Sequence, residues 1–155
     1  MTHPFPAAVV ARDAGALIDT LAPDVTLYSA VTAVPFQGRD VVADTYRSVV
    51  ESFEELRIVD EFESDGTVAF FWEGRMAGRP VSGADRIRLD ANGKVREITV
   101  LGRPMSGVAT FLMEIGSRLA RRRRGALAAR ALRIGSLPLP SLLSLVDPIA
   151  RWIVR

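Results

Sequence analysis

Asp85 is the residue of this chain best placed to do chemistry. It sits in Val81 to Leu89, where Val81, Gly83, Asp85, Ile87 and Leu89 fall on one face of a strand. Ser82, Ala84, Arg86 and Arg88 fall on the other face. A carboxyl group among valine, isoleucine and leucine is costly to ionise unless hydrogen bonds or a charge support it. Two roles fit such a group. It is either a neutral acid or hydrogen-bond donor in the wall of a pocket, or a structural acid tied to Tyr46, Ser29 or a water.

Composition narrows the chemistry around it. The chain has no cysteine and a single histidine, His3, so disulfides, thiolate sites and His-rich zinc sets are excluded. No metal or cofactor is expected. With 155 residues, 48% of them hydrophobic and 25% charged, the chain reads as one globular domain with an appendage at most. The start, Met-Thr-His-Pro-Phe-Pro, carries no basic segment followed by a long apolar run. The expected location is cytoplasmic, with the periphery of a membrane as a second expectation.

The elements that must position Asp85 follow from periodicity. Val9, Val10, Leu17, Ile18 and Leu21 form a helical stripe in residues 5–22, read as one helix ended by Pro23. Asp24 to Tyr28 reads as a short strand, followed by a loop from Ser29 to Gln37. Arg39 to Phe53 predicts a second helix burying Val42, Tyr46, Val49, Val50 and Phe53. The period then changes to two. Leu56 to Phe62, Thr67 to Met76, Val81 to Leu89 and Val95 to Leu101 predict four strands. Ser64-Asp65-Gly66, Ala77-Gly78-Arg79-Pro80 and Asp90-Ala91-Asn92-Gly93 supply the turns. Val68, Phe70, Trp72, Gly74 and Met76 are expected to share the face of Asp85, with Ala69, Phe71, Glu73 and Arg75 looking away. The fold class is therefore α+β, a curved antiparallel sheet wrapped around helices.

Leu21-Ala-Pro-Asp-Val-Thr-Leu-Tyr28, Phe36-Gln37-Gly38-Arg39-Asp40 and Arg88-Leu89-Asp90-Ala91-Asn92-Gly93-Lys94-Val95 resemble the SnoaL-like family. That cone-shaped superfamily also holds ketosteroid isomerase, limonene epoxide hydrolase and nuclear transport factor 2. The resemblance covers residues 5–104 and implies an apolar conical pocket and a homodimer formed through the outer sheet face. Phe71 and Leu101 are candidates for that outer contact. The resemblance also places Asp85 where the isomerase keeps a protonated acid, the known example of a carboxyl held neutral by an apolar site. Ser29 stands where the isomerase has its general base, and Phe5 near where it has a tyrosine. Gly83 and Val100 stand where the epoxide hydrolase has an arginine and a second aspartate. No catalytic set of the family is complete.

The expected ligand is a small hydrophobic molecule anchored by Asp85, with Phe5, Tyr46, Phe70, Trp72, Ile98 and Val100 as apolar wall. Ser29 is counted with the pocket, and the hydroxyl of adjoining Tyr28 reaches either its mouth or the solvent. The simpler reading of Tyr46 and Trp72 is as core aromatics. A chamber of about 300 Å³ or more is expected if the cone takes a ligand. Isomerase, cyclase or hydrolase-like chemistry assisted by the acid is the expectation if turnover occurs.

Residues 105–155 form a separate proposition, a basic, partly helical extension beside the cone of residues 5–104. They carry nine arginines against Glu114 and Asp147, whereas residues 1–104 carry a balance of −5. Val108, Phe111, Leu112, Ile115 and Leu119 are at helical spacing. Arg121 to Arg124 follow, then Ala126 to Ile134, a break at Pro138 and Pro140, and an apolar helix from Leu142 to Val154. No run reaches the about 20 apolar residues of a membrane span. An anionic membrane surface fits better than nucleic acid, because apolar residues are dense around the arginines and no aromatic residue interleaves with them. The simpler expectation is that Gly107 to Leu119 closes the cone's open end, with solvated arginines facing the acidic body. A non-catalytic module tethered by this tail is the alternative to a ligand pocket.

Overall fold

The computed structural model describes residues 3–146. The elements run α1 (Pro4–Val10), α2 (Ala14–Asp19), β1 (Leu21–Tyr28), β2 (Phe36–Gln37), α3 (Arg39–Ser52) and β3 (Glu55–Ser64). Then follow β4 (Thr67–Met76), β5 (Arg79–Leu89), β6 (Val95–Arg103), α4 (Met105–Arg124), α5 (Ala126–Ser136) and α6 (Leu139–Ser144). Six strands form one sheet in the order β2-β1-β6-β5-β4-β3. The meander β3 to β6 is antiparallel throughout, while β1 lies parallel to β6.

The hairpins follow from their turn residues. Asp65-Gly66 and Ala77-Gly78 both take positive φ at two successive positions, the geometry of the tight turn that matches strand twist. The second turn is shorter than the sequence predicts, since Arg79 and Pro80 already pair with β4. Pro80 is tolerated there because the β5–β6 ladder starts only at Ser82. Register shifts in β3 between Ile58 and Asp60, and between β5 and β6 at Arg88, bend the sheet around the helices.

The start of the chain differs from expectation. Residues 5–22 are two short helices rather than one, because Arg12 takes a left-handed φ of 57° and Asp13 caps the second helix through Ala16 N–H at 2.9 Å. Pro23 does not end a helix. It lies inside β1, in the stretch where the register against β6 slips between Leu21 and Thr26 and no regular ladder bond is needed.

The core sits between the helices and the inner face of the sheet. Phe5 and Leu17 from the first two helices meet Val42 and Tyr46 from α3, and Val68, Phe70, Ile87 and Ile98 from the sheet. The predicted α3 stripe, Val42, Tyr46, Val49, Val50 and Phe53, is buried in full. On β4, Val68, Phe70, Trp72 and Met76 are buried, while Phe71 is exposed.

As far as residue 146 the basic tail is largely helical and partly docked. α4 packs against α3 and the β4–β6 strands, sinking Ile115 into the core and Phe111 against it. Its arginines do face the acidic body: Arg123 reaches Asp44 at 3.2 Å, Arg122 pairs with Glu51, and Arg118 donates to Ser52 Oγ at 2.9 Å. Pro140 does not break the chain, because it occupies the first turn of α6, where a missing N–H costs nothing. The part of the predicted Leu142–Val154 helix beyond residue 146 lies outside the described residues.

Candidate ligand-binding site

Asp85 occupies the middle of β5, with Phe70 opposite on β4 and Val100 opposite on β6. Both cross-strand neighbours are apolar, and the carboxyl is 6% exposed. Two neutral donors support it. Trp72 Nε1 donates to Oδ1 at 2.8 Å, and Tyr46 Oη donates to Oδ2 at 3.3 Å. Burial nevertheless dominates, pushing the Asp85 carboxyl from 3.8 up to about 6 against the opposite pull of the Trp72 and Tyr46 hydrogen bonds. The Tyr46 phenol is driven well above its usual range, first by burial and then by the neighbouring Asp85 charge.

Local sequence explains how this cluster forms. Tyr46 is on the buried stripe of α3, and Phe5 from α1 locks its ring edge-on at 5.2 Å. Trp72 lies opposite Gly83, and the absent side chain there leaves the indole lying over the β5 backbone beside Asp85. A Cβ at Gly83 would stand 2.5 Å from Trp72 Cζ2. The glycine thus makes room for the Trp72–Asp85 contact.

A cavity beside the carboxyl brings together Ser29, Tyr46, Phe70, Trp72 and Val100, all anticipated from the sequence. Phe5 and Ile98 are fully buried one layer behind it. Tyr28 is 45% exposed and stands outside the lining. Phe53, Val49, Leu56 and Phe111 line the cavity without having been singled out as ligand contacts. Their signal was their place on apolar helical or strand stripes.

The chamber itself is small, about 40 Å³, room for the centres of about three waters. The expectation of about 300 Å³ at Asp85 is not met, because Phe53 packs edge-on to Trp72 at 5.6 Å and Phe111 packs on Phe53 at 6.3 Å. A ligand-sized space of about 400 Å³ lies next to it, between α4 and the segment after β1. The two spaces share Ser29, Thr45 and Phe111 as common wall. Among the described residues, no group of His, Cys, Asp and Glu is arranged to hold a metal.

A mixed sheet curved around helices, with a buried carboxyl facing a cavity, defines a cone-shaped α+β fold. The chain belongs to the SnoaL-like domain family, whose sequence signature matches residues 3–98. A steroid delta-isomerase from Pseudomonas aeruginosa is 31% identical, with a TM-score of 0.70 over 75% of this chain and 86% of that one. A protein with a cystatin-like fold from Silicibacter pomeroyi, 22% identical, superposes with a TM-score of 0.74 over 84% and 95% of the two chains. An NTF2-like protein from Cytophaga hutchinsonii shares the fold at 16% identity and a TM-score of 0.53, covering 64% and 84%. No curated protein matches the chain in sequence.

Proposed function

We propose that this protein binds a small hydrophobic molecule carrying one polar oxygen, held in the cone with Asp85 as its anchor. The observation that carries this reading is a buried carboxyl, raised to about 6, at the edge of an apolar cavity with only neutral partners. Above that value the carboxylate accepts a hydrogen bond from a ligand hydroxyl. Below it the neutral acid donates one to a carbonyl.

A group titrating near 6 is also matched to proton transfer at neutral pH. The isomerase activity of the Pseudomonas relative supports turnover of this acid-assisted kind, whether isomerisation, cyclisation or hydration. Ser29 at the family's base position argues that any base comes from the substrate or from water. Admission of a ligand requires the inner cavity to widen, and half-buried Phe111, in the wall shared with the outer groove, is the side chain placed to move. The exposed aromatic pair Phe62 and Phe71, with Leu101 beside them on the outer sheet face, supports a homodimer through that face.

The smallness of the inner cavity favours a second reading, a non-catalytic module whose cone is filled by its own side chains. Its tail would then provide the function. On α5, Leu127 and Ile134 are exposed beside Arg130 and Arg133, with exposed Leu137 just past its end, a surface suited to an anionic membrane at about 1 kcal/mol per arginine. No described helix is long and apolar enough to cross a membrane.

Native mass spectrometry of the protein from its own host separates the two readings. The expected result is a small apolar adduct present in the native spectrum and absent after denaturation. Phospholipid as the sole adduct would favour the tethered module instead.

A further inference from the structure

The groove of about 400 Å³ beneath α4 has a chemistry of its own. Val31, Val34 and Phe36 form one wall, and Leu112, Leu119 and Leu132 the other. Its inner end is closed by buried Thr45 and Ile115 and by half-buried Phe111. Its outer end, near exposed Val34, is lined by Arg123 and Arg124. Among the described residues, no carboxylate lines it.

The charges nearby leave this rim positive. Asp44 reaches Arg123 at 3.2 Å but also takes Arg47 at 3.0 Å, so one acid is shared between two arginines. Inside the groove, Thr45 Oγ1 is occupied in donating to Val41 O at 2.9 Å. Ser29 Oγ accepts from Val31 N–H at 3.3 Å and keeps its own proton free to donate. The space is therefore an apolar slot with two cations at its solvent end and one hydroxyl at its inner end.

We propose that this groove binds a single-chain anionic amphiphile, with its acidic head at Arg123 and Arg124 and its chain running along Leu119 and Leu112 toward Phe111. Charge complementarity selects the head and the apolar walls select the chain. The site goes beyond the cone reading and shares with it only Ser29, Thr45 and Phe111.

Decanoate and decanol are matched chains that differ in the charge of the head. Titrated calorimetrically into the full protein at low ionic strength, decanoate is expected to bind about fivefold more tightly, the scale of exposed ion pairs. The double variant Arg123→Gln/Arg124→Gln, which alters only exposed side chains, should bring the two ligands to equal affinity. Ala120→Trp, which fills the slot from α4, should weaken both by about tenfold or more while circular dichroism stays unchanged. Equal affinities for the two ligands in the parent protein would overturn the proposal. So would a preference that survives the arginine substitutions, or binding indifferent to a folded Ala120→Trp. Asp85→Asn should leave decanoate's preference over decanol in place, which keeps failure of the groove distinct from failure of the cone site.

Discussion

Replacing Gly83 by alanine is expected to destabilise the protein by about 3 kcal/mol or more, a large effect for one methyl group. A Cβ at this position would stand 2.2 Å from the Leu101 carbonyl oxygen and 2.5 Å from the Trp72 ring. The first contact is with backbone of the neighbouring strand, so it is relieved only by parting β5 from β6. The second forces the indole off Gly83 and breaks its 2.8 Å hydrogen bond to Asp85. Gly102→Ala on the adjacent strand provides the contrast. There the nearest atom is the Val108 side chain at 3.0 Å, which belongs to α4 and can shift. Urea unfolding of the two variants should therefore give a much lower midpoint for Gly83→Ala, with altered tryptophan fluorescence as well. Equal midpoints would show that Trp72 does not rest on Gly83.

Asp85→Asn is expected to raise stability at pH 8, by up to about 3 kcal/mol, and to remove part of the protein's pH dependence. The folded value of about 6 lies above the ordinary 3.8. Between those values the folded protein holds a proton that the unfolded chain has released. Asp85 therefore favours the folded state most below pH 3.8, and this advantage is lost as pH rises through 6. Above pH 6 the buried carboxylate burdens the fold, because desolvation outweighs the Trp72 and Tyr46 hydrogen bonds.

An amide avoids that burden. Its oxygen can take the Trp72 N–H and its NH₂ can face the Tyr46 oxygen. Because other acids titrate in the same range, the quantity to follow is the stability difference between variant and parent across pH 3.5 to 8. It should be near zero at the acid end and grow through the window. A variant less stable than the parent at pH 8 would mean that the carboxylate is a structural tie. A stabilising variant would mark Asp85 as a residue kept at a cost to the fold, as functional acids are.

Much of this site was legible in the alternation of β4 and β5. Period two put Asp85 on the face of Phe70 and Trp72, and one carboxyl among Val81, Ile87 and Leu89 already implied a raised value. What alternation cannot give is which neighbour the acid meets. The Trp72 contact depends on a ring orientation that Gly83 permits, and Tyr46 arrives from another element. The parallel β1–β6 pairing was hidden for a related reason, since it joins residues as far apart in sequence as Leu27 and Ile98 with no local turn to announce it. The helix break at Arg12 was readable in principle from Asp13 as a cap ahead of Ala-Gly-Ala-Leu, but the apolar stripe continues through it. The chamber size was not readable at all. Phe111 was visible on an apolar helical stripe, yet only the docking of α4 brings it against Phe53 and narrows the cone.

The most direct test of the account is the comparison of phenol with toluene, two ligands of similar shape that differ in one hydrogen-bonding group. Measured by calorimetry at pH 7.5, phenol should bind about tenfold more tightly through its O–H and the Asp85 carboxylate. The preference should fall to about threefold in Asp85→Asn, where a neutral acceptor replaces a charged one. Toluene binding as tightly as phenol, or a phenol preference unchanged in Asp85→Asn, would contradict the assignment of Asp85 as the anchor of the site.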